Sequence, residues 1–387
     1  MKLDSSELAF TCNAKDLQAS LSRVQGLNKS IDCLDTERRT FLLTVKDEAY
    51  LIGTTTDSYA MSRIGSADVE APGFAQVDAD VMNGLLKGRD LVKLSGSKAE
   101  LTIQSSGSSR YKATMAIETD DNAISAERVQ NTIKRKKNTD TLDSEVIEAI
   151  REGVRRAEIQ SHYGDEVILA FITVTDKGVR ITCADNFHIT SYTKGVKVAK
   201  GMQLAIPART FSLIDKFIGG TESVKFASNE RSLRVEGDGF IVELPATQVE
   251  KGQYKIVPDY LKALSDSKPA LSMSVKSDIR KVTENIAVVT AEDNKLTLAV
   301  GAKVCKLTMR NRSSSVSETL KVQNLKGKER SVMIDPKIFA ALINKVEGDV
   351  IDIDFFEGER GASGCFRICY SLAKSEKMTL VGTFYTE

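Results

Sequence analysis

The chain carries one stretch of residues three times, at a spacing equal to a third of its length. The copies are Gln76-Val77-Asp78-Ala79-Asp80-Val81-Met82-Asn83-Gly84-Leu85-Leu86-Lys87, Ala205-Ile206-Pro207-Ala208-Arg209-Thr210-Phe211-Ser212-Leu213-Ile214-Asp215-Lys216 and Met333-Ile334-Asp335-Pro336-Lys337-Ile338-Phe339-Ala340-Ala341-Leu342-Ile343-Asn344-Lys345. Their starts, taken as Val77, Ile206 and Ile334, lie 129 and 128 residues apart in a chain of 387. A repeat at domain length restricts the fold more than any single motif, because each copy must build a similar unit and meet its neighbours in a similar way. A third of this chain is also an ordinary domain size, with room for its own core.

Each copy opens with a small, polar or proline residue and continues with apolar positions at helical spacing, such as Val81 with Leu85 and Leu86, or Phe211 with Ile214, Phe217 and Ile218. Asp78, Pro207 and Pro336 suit helix starts, and Gly88, Gly219 and Gly348 suit helix ends. Alternating stretches follow: Leu91–Leu94 then Glu100–Gln104, Ser223–Ala227 then Ser232–Glu236, Val350–Phe356 then Cys365–Tyr370. That alternation predicts antiparallel strands with one buried face. The first half of each third repeats the recipe, with helices expected at Ala14–Val24, Ser144–Ile159 and Lys276–Glu284, each before a hairpin. The hairpins are expected at Phe41–Ile52, Phe171–Thr182 and Ile286–Leu298. The third is out of step, because Asp47 to Asp176 is 129 residues and Asp176 to Asp293 only 117. Two segments fall outside the repeat. Thr119–Leu142, with Lys134-Arg135-Lys136-Lys137, reads as a solvated linker, and the serine- and lysine-rich Asn311–Lys328 as an extended loop.

Composition excludes several classes. The formal charge is +1 with 28% charged residues, so any nucleic-acid contact must come from charge sorted by face. The cysteines at 12, 33, 183, 305, 365 and 369 sit in strand-like segments and read as buried free thiols of a reducing compartment. No apolar leader opens the N-terminus and no run approaches a membrane span, so a soluble, cytoplasmic protein is expected. The chain has two histidines, His162 and His188, and no phosphate loop, HExxH, paired CxxC or nucleophile elbow. Asp57 and Asp185 occupy matching places in two copies and read as turn formers. An enzyme would need Asp57, Asp185 and His188 to converge, although equivalent positions of tandem units lie apart. The missing chemistry argues for a binding or scaffolding role, with no cofactor and no metal.

In order and spacing, the motifs resemble those of the bacterial-type DNA polymerase sliding clamp, the polymerase III beta subunit family. Gly178-Val179-Arg180-Ile181-Thr182-Cys183-Ala184-Asp185-Asn186-Phe187-His188-Ile189 is similar to the family's strand ending in a Thr-Asp-Gly-His-Arg-Leu loop. Val249-Glu250-Lys251-Gly252-Gln253-Tyr254-Lys255-Ile256-Val257-Pro258 is similar to its Gly-x-Phe-Pro-x-Tyr boundary, and Gly53-Thr54-Thr55-Thr56-Asp57 to its Thr-Asp-Leu-Glu position. The departures are Asn186-Phe187-His188 for Gly-His-Arg, the absent Phe-Pro, and a tail ending Thr379-Leu380-Val381-Gly382-Thr383-Phe384-Tyr385-Thr386-Glu387 without Met-Pro. They fit a divergent member, such as a phage-encoded one.

The resemblance implies an α+β fold of three tandem clamp modules, residues 1–120, 143–258 and 259–387, with a linker at 121–142. Each module would pack two helices on antiparallel sheets. It implies a head-to-tail homodimeric ring, module 1 of one chain meeting module 3 of the other, around duplex DNA of any sequence. The ring would tether DNA polymerase after a clamp loader places it. Cations on or beside the helices are the candidate DNA-facing residues: Lys15, Arg23, Lys29, Lys87, Arg151, Arg155, Arg209, Lys216, Lys276, Arg280, Lys337 and Lys345. The family's partner-peptide pocket maps onto Val167, Ala184, Asn186, Phe187, His188, Ile189, Ile256, Val257, Pro258, Leu380, Val381 and Phe384. The alternative is a clamp-like interaction scaffold that does not encircle DNA.

Overall fold

The computed structural model describes residues 7–30, 39–55, 58–97, 99–105, 111–117, 140–159, 168–199, 201–208, 214–215, 217–218, 223–228, 232–245, 252–287, 295–310, 315–358 and 363–386. They belong to two compact units, one from 1–147 with 209–247, the other from 148–208 with 248–387.

The first third contributes β1 (Ala9–Asn13), α1 (Ala14–Ser30), β2 (Arg39–Val45), β3 (Glu48–Thr54), β4 (Tyr59–Arg63), β5 (Asp68–Ala71), β6 (Gly73–Gln76), α2 (Ala79–Leu86), β7 (Leu91–Gly96), β8 (Glu100–Ser105) and β9 (Lys112–Ala116). The second contributes β10 (Asp140–Asp143), α3 (Ser144–Ala157), β11 (Leu169–Thr175), β12 (Gly178–Ala184), β13 (His188–Lys194), β14 (Met202–Pro207), β15 (Ser223–Ser228), β16 (Ser232–Gly237) and β17 (Phe240–Pro245). The third contributes α4 (Gln253–Asp266), β18 (Leu271–Lys276), α5 (Ile279–Ala287), β19 (Leu296–Val300), β20 (Val304–Arg310), β21 (Ser315–Gly327), β22 (Arg330–Ile334), α6 (Pro336–Lys345), β23 (Val350–Glu357), β24 (Ser363–Ala373) and β25 (Glu376–Thr386). The fold is α+β, as expected.

The repeated stretch is a strand end running into a helix. Gln76, Ala205-Ile206-Pro207 and Met333-Ile334 belong to β6, β14 and β22; Asp78 and Pro336 start their helices as expected, whereas Pro207 closes a strand. An aspartate stops the strand and starts the helix. Asp78 Oδ1 accepts from the backbone N–H groups of Asp80 and Val81 at 2.9 and 3.0 Å, and Asp335 Oδ1 from those of Lys337 and Ile338 at 2.8 and 3.1 Å. The middle copy's helix lies mostly outside the described residues, as do residues 121–139 of the linker expected at 121–142; its last residues, 140–142, belong instead to β10, which pairs with β15.

In the first unit, β5-β1-β7-β8-β9 form one sheet and β10-β15-β16-β17-β4-β3-β2-β6 another. The first core gathers Phe10, Leu17, Leu21, Leu51, Met82, Leu94 and Ile103 from α1, α2 and the strands beneath them. The second sheet is continuous across two repeats, because β17 pairs with β4, Ile241 opposite Met61 and Glu243 opposite Tyr59. At this joint Arg234, 2% exposed, lies opposite Glu243, which lies opposite Tyr59. Burial pushes the Tyr59 phenol up, with the Arg234 guanidinium lowering it and the Glu243 carboxylate raising it further.

In the second unit, β14-β11-β12-β13-β25-β22-β19-β20-β21-β18-β23-β24 form one sheet, and β24 pairs back onto β25. The third repeat therefore closes its own ladder. The joint has the same form as in the first unit: β25 pairs with β13, Thr379 opposite Ser191 and Val381 opposite Ile189. Helix α3 lies close on β12 and β13, where a Cβ on Gly153 would meet Ile181 and Tyr192 at 2.5 and 2.6 Å.

Three expectations for the third repeat are corrected. Its hairpin is β19–β20, turning at residues 301–303, with Leu298 opposite Leu307; Ile286 instead belongs to α5. This restores a spacing near 129, and the error arose because Lys295–Val300 alternates equally well as a first or second strand. The first helix starts at Ile279, so Lys276 closes a strand. Residues 315–327 form a strand, paired with β20 and β18, because Val316, Leu320 and Val322 alternate with exposed Ser317, Thr319 and Lys321.

Breaking the Arg234–Glu243 row should cost more than replacing it. Arg234→Met is expected to destabilise the chain by about 3–5 kcal/mol by removing the buried guanidinium from Glu236, 3.3 Å from its Nη2, and from Glu243 opposite it. Arg234→Met with Glu243→Leu should recover most of that loss in chemical unfolding.

Candidate functional site

The helices set the first candidate surface. Helix α1 is held to α2 by Gln18 Nε2 donating to Asn83 Oδ1 at 3.3 Å and Gln25 Nε2 to Asp80 Oδ1 at 2.9 Å; α5 packs on α6. Lys15 at the start of α1, Lys87 just after α2 and Lys337 in the first turn of α6 are exposed, and Arg23 is half-buried on α1. On α3, Arg151 Nη1 lies 2.8 Å from Glu148 and Arg155 pairs with Glu152. Lys276 is exposed at the end of β18. Arg209, Lys216, Val167 and the Lys29 side chain lie outside the described residues.

Two of the expected cations instead cap helices. Arg280 Nη2 donates to the Val346 and Gly348 carbonyls, at 2.5 and 2.8 Å, just past the end of α6. Lys345 Nζ donates to the Arg156 and Glu158 carbonyls, at 2.9 and 2.6 Å, at the end of α3. Burial pulls the Lys345 pKa down, while its charge satisfies carbonyls that a helix end leaves without partners. Beside it Arg156 pairs with both Glu152 and Glu347. Sequence reading missed Arg156, whose contact with Glu347 spans 191 positions and leaves no local signal.

The second candidate surface is where β13 meets β25. Asp185 shapes its rim: Oδ1 accepts from the backbone N–H groups of Phe187 and His188, both at 2.8 Å, and lies 2.9 Å from His188 Nδ1. Burial alone would raise the Asp185 carboxyl, but the His188 imidazole and those two N–H groups outweigh it and hold its pKa below the usual range. Asp185 is the turn former expected of it. Ala184, Phe187 and Ile189 are half-buried, Asn186 exposed and His188 buried.

Ile189 and Val381 do come together, in an apolar cluster with Phe356 and Cys365. Leu380 and Phe384 are fully buried in the third repeat. The expected boundary at 258 falls within α4: Val257 and Pro258 are half-buried, Ile256 is 63% exposed, and Leu261 and Leu264 reach the cluster instead. Their i, i+3 spacing was the signal that could have found them. Among the described residues no group of three or more His, Cys, Asp or Glu could hold a metal, and no helix is long and apolar enough to cross a membrane.

Stability drawn from Asp185 should depend on pH. A depressed carboxylate stabilises the fold above its ordinary value near ~4 and loses that contribution as pH falls through the folded value. Asp185→Ala is expected to cost about 1–3 kcal/mol at neutral pH. The gap from the parent should shrink in acid, as urea unfolding at a series of pH values would record; a pH-independent gap would contradict the assignment.

No protein-family model matches the chain, and no curated protein matches it by sequence. Solved structures do. The Thermotoga maritima DNA polymerase III beta subunit aligns over 97% of this chain and 99% of its own, with 14% identity and a TM-score of 0.76. The Bacillus subtilis DNA polymerase sliding clamp aligns over 99% and 100%, with 14% identity and a TM-score of 0.75. The DNA polymerase III subunit beta of Pseudomonas aeruginosa aligns over 98% and 100%, with 13% identity and a TM-score of 0.76. From end to end, this chain has the fold of the polymerase III beta sliding clamps.

Proposed function

We propose that the chain is a DNA sliding clamp, a non-enzymatic processivity factor of the cytoplasm whose two copies close head to tail around duplex DNA. It would hold DNA polymerase and other replication proteins on their template after a clamp loader places it. The fold supports this reading, and one observation carries it: among the described residues two of the open strand edges, β9 and the first half of β21, match the two halves of a joint the chain makes twice.

At the first joint, Met61 of β4 faces Ile52 of β3 on one side and Ile241 of β17 on the other. At the second, Ser191 of β13 faces Thr182 of β12 and Thr379 of β25. The corresponding residue of the third repeat is Ser317 on β21, which faces Thr308 of β20. Among the described residues its segment, 315–321, has no strand on the other side. The incoming strands align equally well. Leu233-Arg234-Val235 of β16 and Phe366-Arg367-Ile368 of β24 match Leu101-Thr102-Ile103 of β8, so Lys112 of β9 corresponds to Ile241 and Thr379. Among the described residues strand β9 is the last of its sheet. A second copy would therefore set Lys112 opposite Ser317 and Ala113 opposite Val316. Pairing the two edges removes exposed ladders, and two such joints close a two-chain ring.

Sedimentation equilibrium is expected to give twice the 42.3 kDa chain mass. Lys112→Cys with Ser317→Cys should then form a covalent dimer on mild oxidation. A chain monomeric at every concentration would reject the ring and leave the scaffold that does not encircle DNA.

Among the described candidates Lys15, Lys87 and Lys337 lie exposed on or beside the helices, and we assign them to the phosphates. Changing all three to alanine should leave the thermal midpoint unmoved and shorten retention on nicked circular DNA. The slope of log affinity against log salt should fall by roughly 0.9 for each phosphate that one of these lysines neutralises. An unchanged slope would remove these lysines from the DNA surface.

A further inference from the structure

Helix α4 covers the Ile189, Phe356, Cys365 and Val381 cluster, yet little holds it there. Of its fourteen residues only Leu264 is buried. Its N-cap is Gly252, which makes no side-chain bond, and Pro258 lies inside the helix, where it removes one backbone hydrogen bond. Leu261 and Leu264 reach the cluster, and the Tyr260 hydroxyl bonds to the Cys365 thiol. Arg367 Nη1 adds a 3.3 Å bond to Ser265 Oγ, and the Tyr254 ring meets Phe171 edge-on at 5.6 Å. Ile256 is 63% exposed, and Tyr260, although its hydroxyl reaches Cys365, is 41% exposed. Few buried contacts and a poorly capped, proline-interrupted helix describe an element at the low-stability end of a fold.

We propose that α4 is a displaceable lid, a segment of the chain occupying the partner-docking surface until a peptide takes its place. The inference rests on reading that surface as the peptide pocket of the clamp. The seated segment identifies the ligand chemistry: two leucine-sized side chains one helical turn apart, beside an aromatic whose polar tip reaches Cys365. A partner peptide with those anchors displaces Leu261 and Leu264 and binds the same cluster. Its apparent affinity is reduced by the fraction of chains whose lid is closed.

Hydrogen exchange on the intact chain tests the lid without any variant. Amides of α4 are expected to exchange on the order of 100-fold faster than those of α6, the well-capped helix of the same unit. Equal protection would overturn the proposal. Docking is tested with a fluorescein-labelled peptide of residues 253–266, carrying alanine for Pro258 to strengthen its helix. It should bind the Leu261→Ser, Leu264→Ser chain at least about tenfold more tightly than the parent, as a weakened lid competes less. A Leu264→Cys chain oxidised onto Cys365 should refuse the peptide and regain binding on reduction. Equal binding to parent and lid variant, or none to either, would overturn it. The same variants are run in sedimentation and on nicked circular DNA. A dimer that holds DNA while α4 stays protected rejects the lid alone, whereas a monomer rejects the ring whatever α4 does.

Discussion

Successive repeats are joined by backbone hydrogen bonds between strands far apart in the chain, β17 on β4 and β25 on β13. Each sheet thereby runs through two repeats, and the helices, the Asp185 turn and the apolar cluster take their places from it. A ladder of this kind fixes register as well as contact, since a slip of one residue would turn every buried side chain to the opposite face. The two joints fix register with different side chains. Arg234, Glu243 and Tyr59 line up across the first. Ile189 and Val381 face each other at the second, and Arg367 turns to Asp354, 2.9 Å away, and to the Phe356 ring. Identical backbone geometry thus accepts a buried polar row in one place and an apolar pair in the other.

Two of the candidate cations serve the chain's own helix ends. Arg280 and Lys345 each donate to two carbonyls near a helix C-terminus, and Arg156 is divided between two glutamates. Lysines with no helix end to serve, such as Lys15 and Lys337, are the ones left facing water.

Much of the architecture was legible in the sequence because it rests on local physics. The second hairpins of all three repeats, the helix positions and the turn at Asp185 follow from alternation, spacing and an aspartate's habit of bonding the backbone ahead of it. What was not legible depends on contacts between distant residues. Nothing local tells that Lys345 reaches the end of α3, or that β21 is a strand when half its residues are serine, threonine, glutamate and lysine. Alternation alone could not fix which strand of the β19–β20 hairpin comes first; pairing with β22 decides it. The candidate docking surface was legible in part. Ile189 and Val381 meet, but α4 runs through the expected boundary at 258 and its Leu261 and Leu264 join them.

The two edges that match the joints, β9 and the first half of β21, differ from them chemically. Where the first joint lines up buried Arg234 and Tyr59 with half-buried Glu243, the corresponding positions of the open edges carry Thr102, Ser315 and Thr114. Hydroxyls leave such a seam held mainly by its backbone and by small side chains, without a buried charge to break on parting. In a ring of two chains, one seam can open while the other still tethers the partner at high effective concentration. The assembly would then outlast the lifetime of either seam alone, parting at one place and reclosing without ever coming apart.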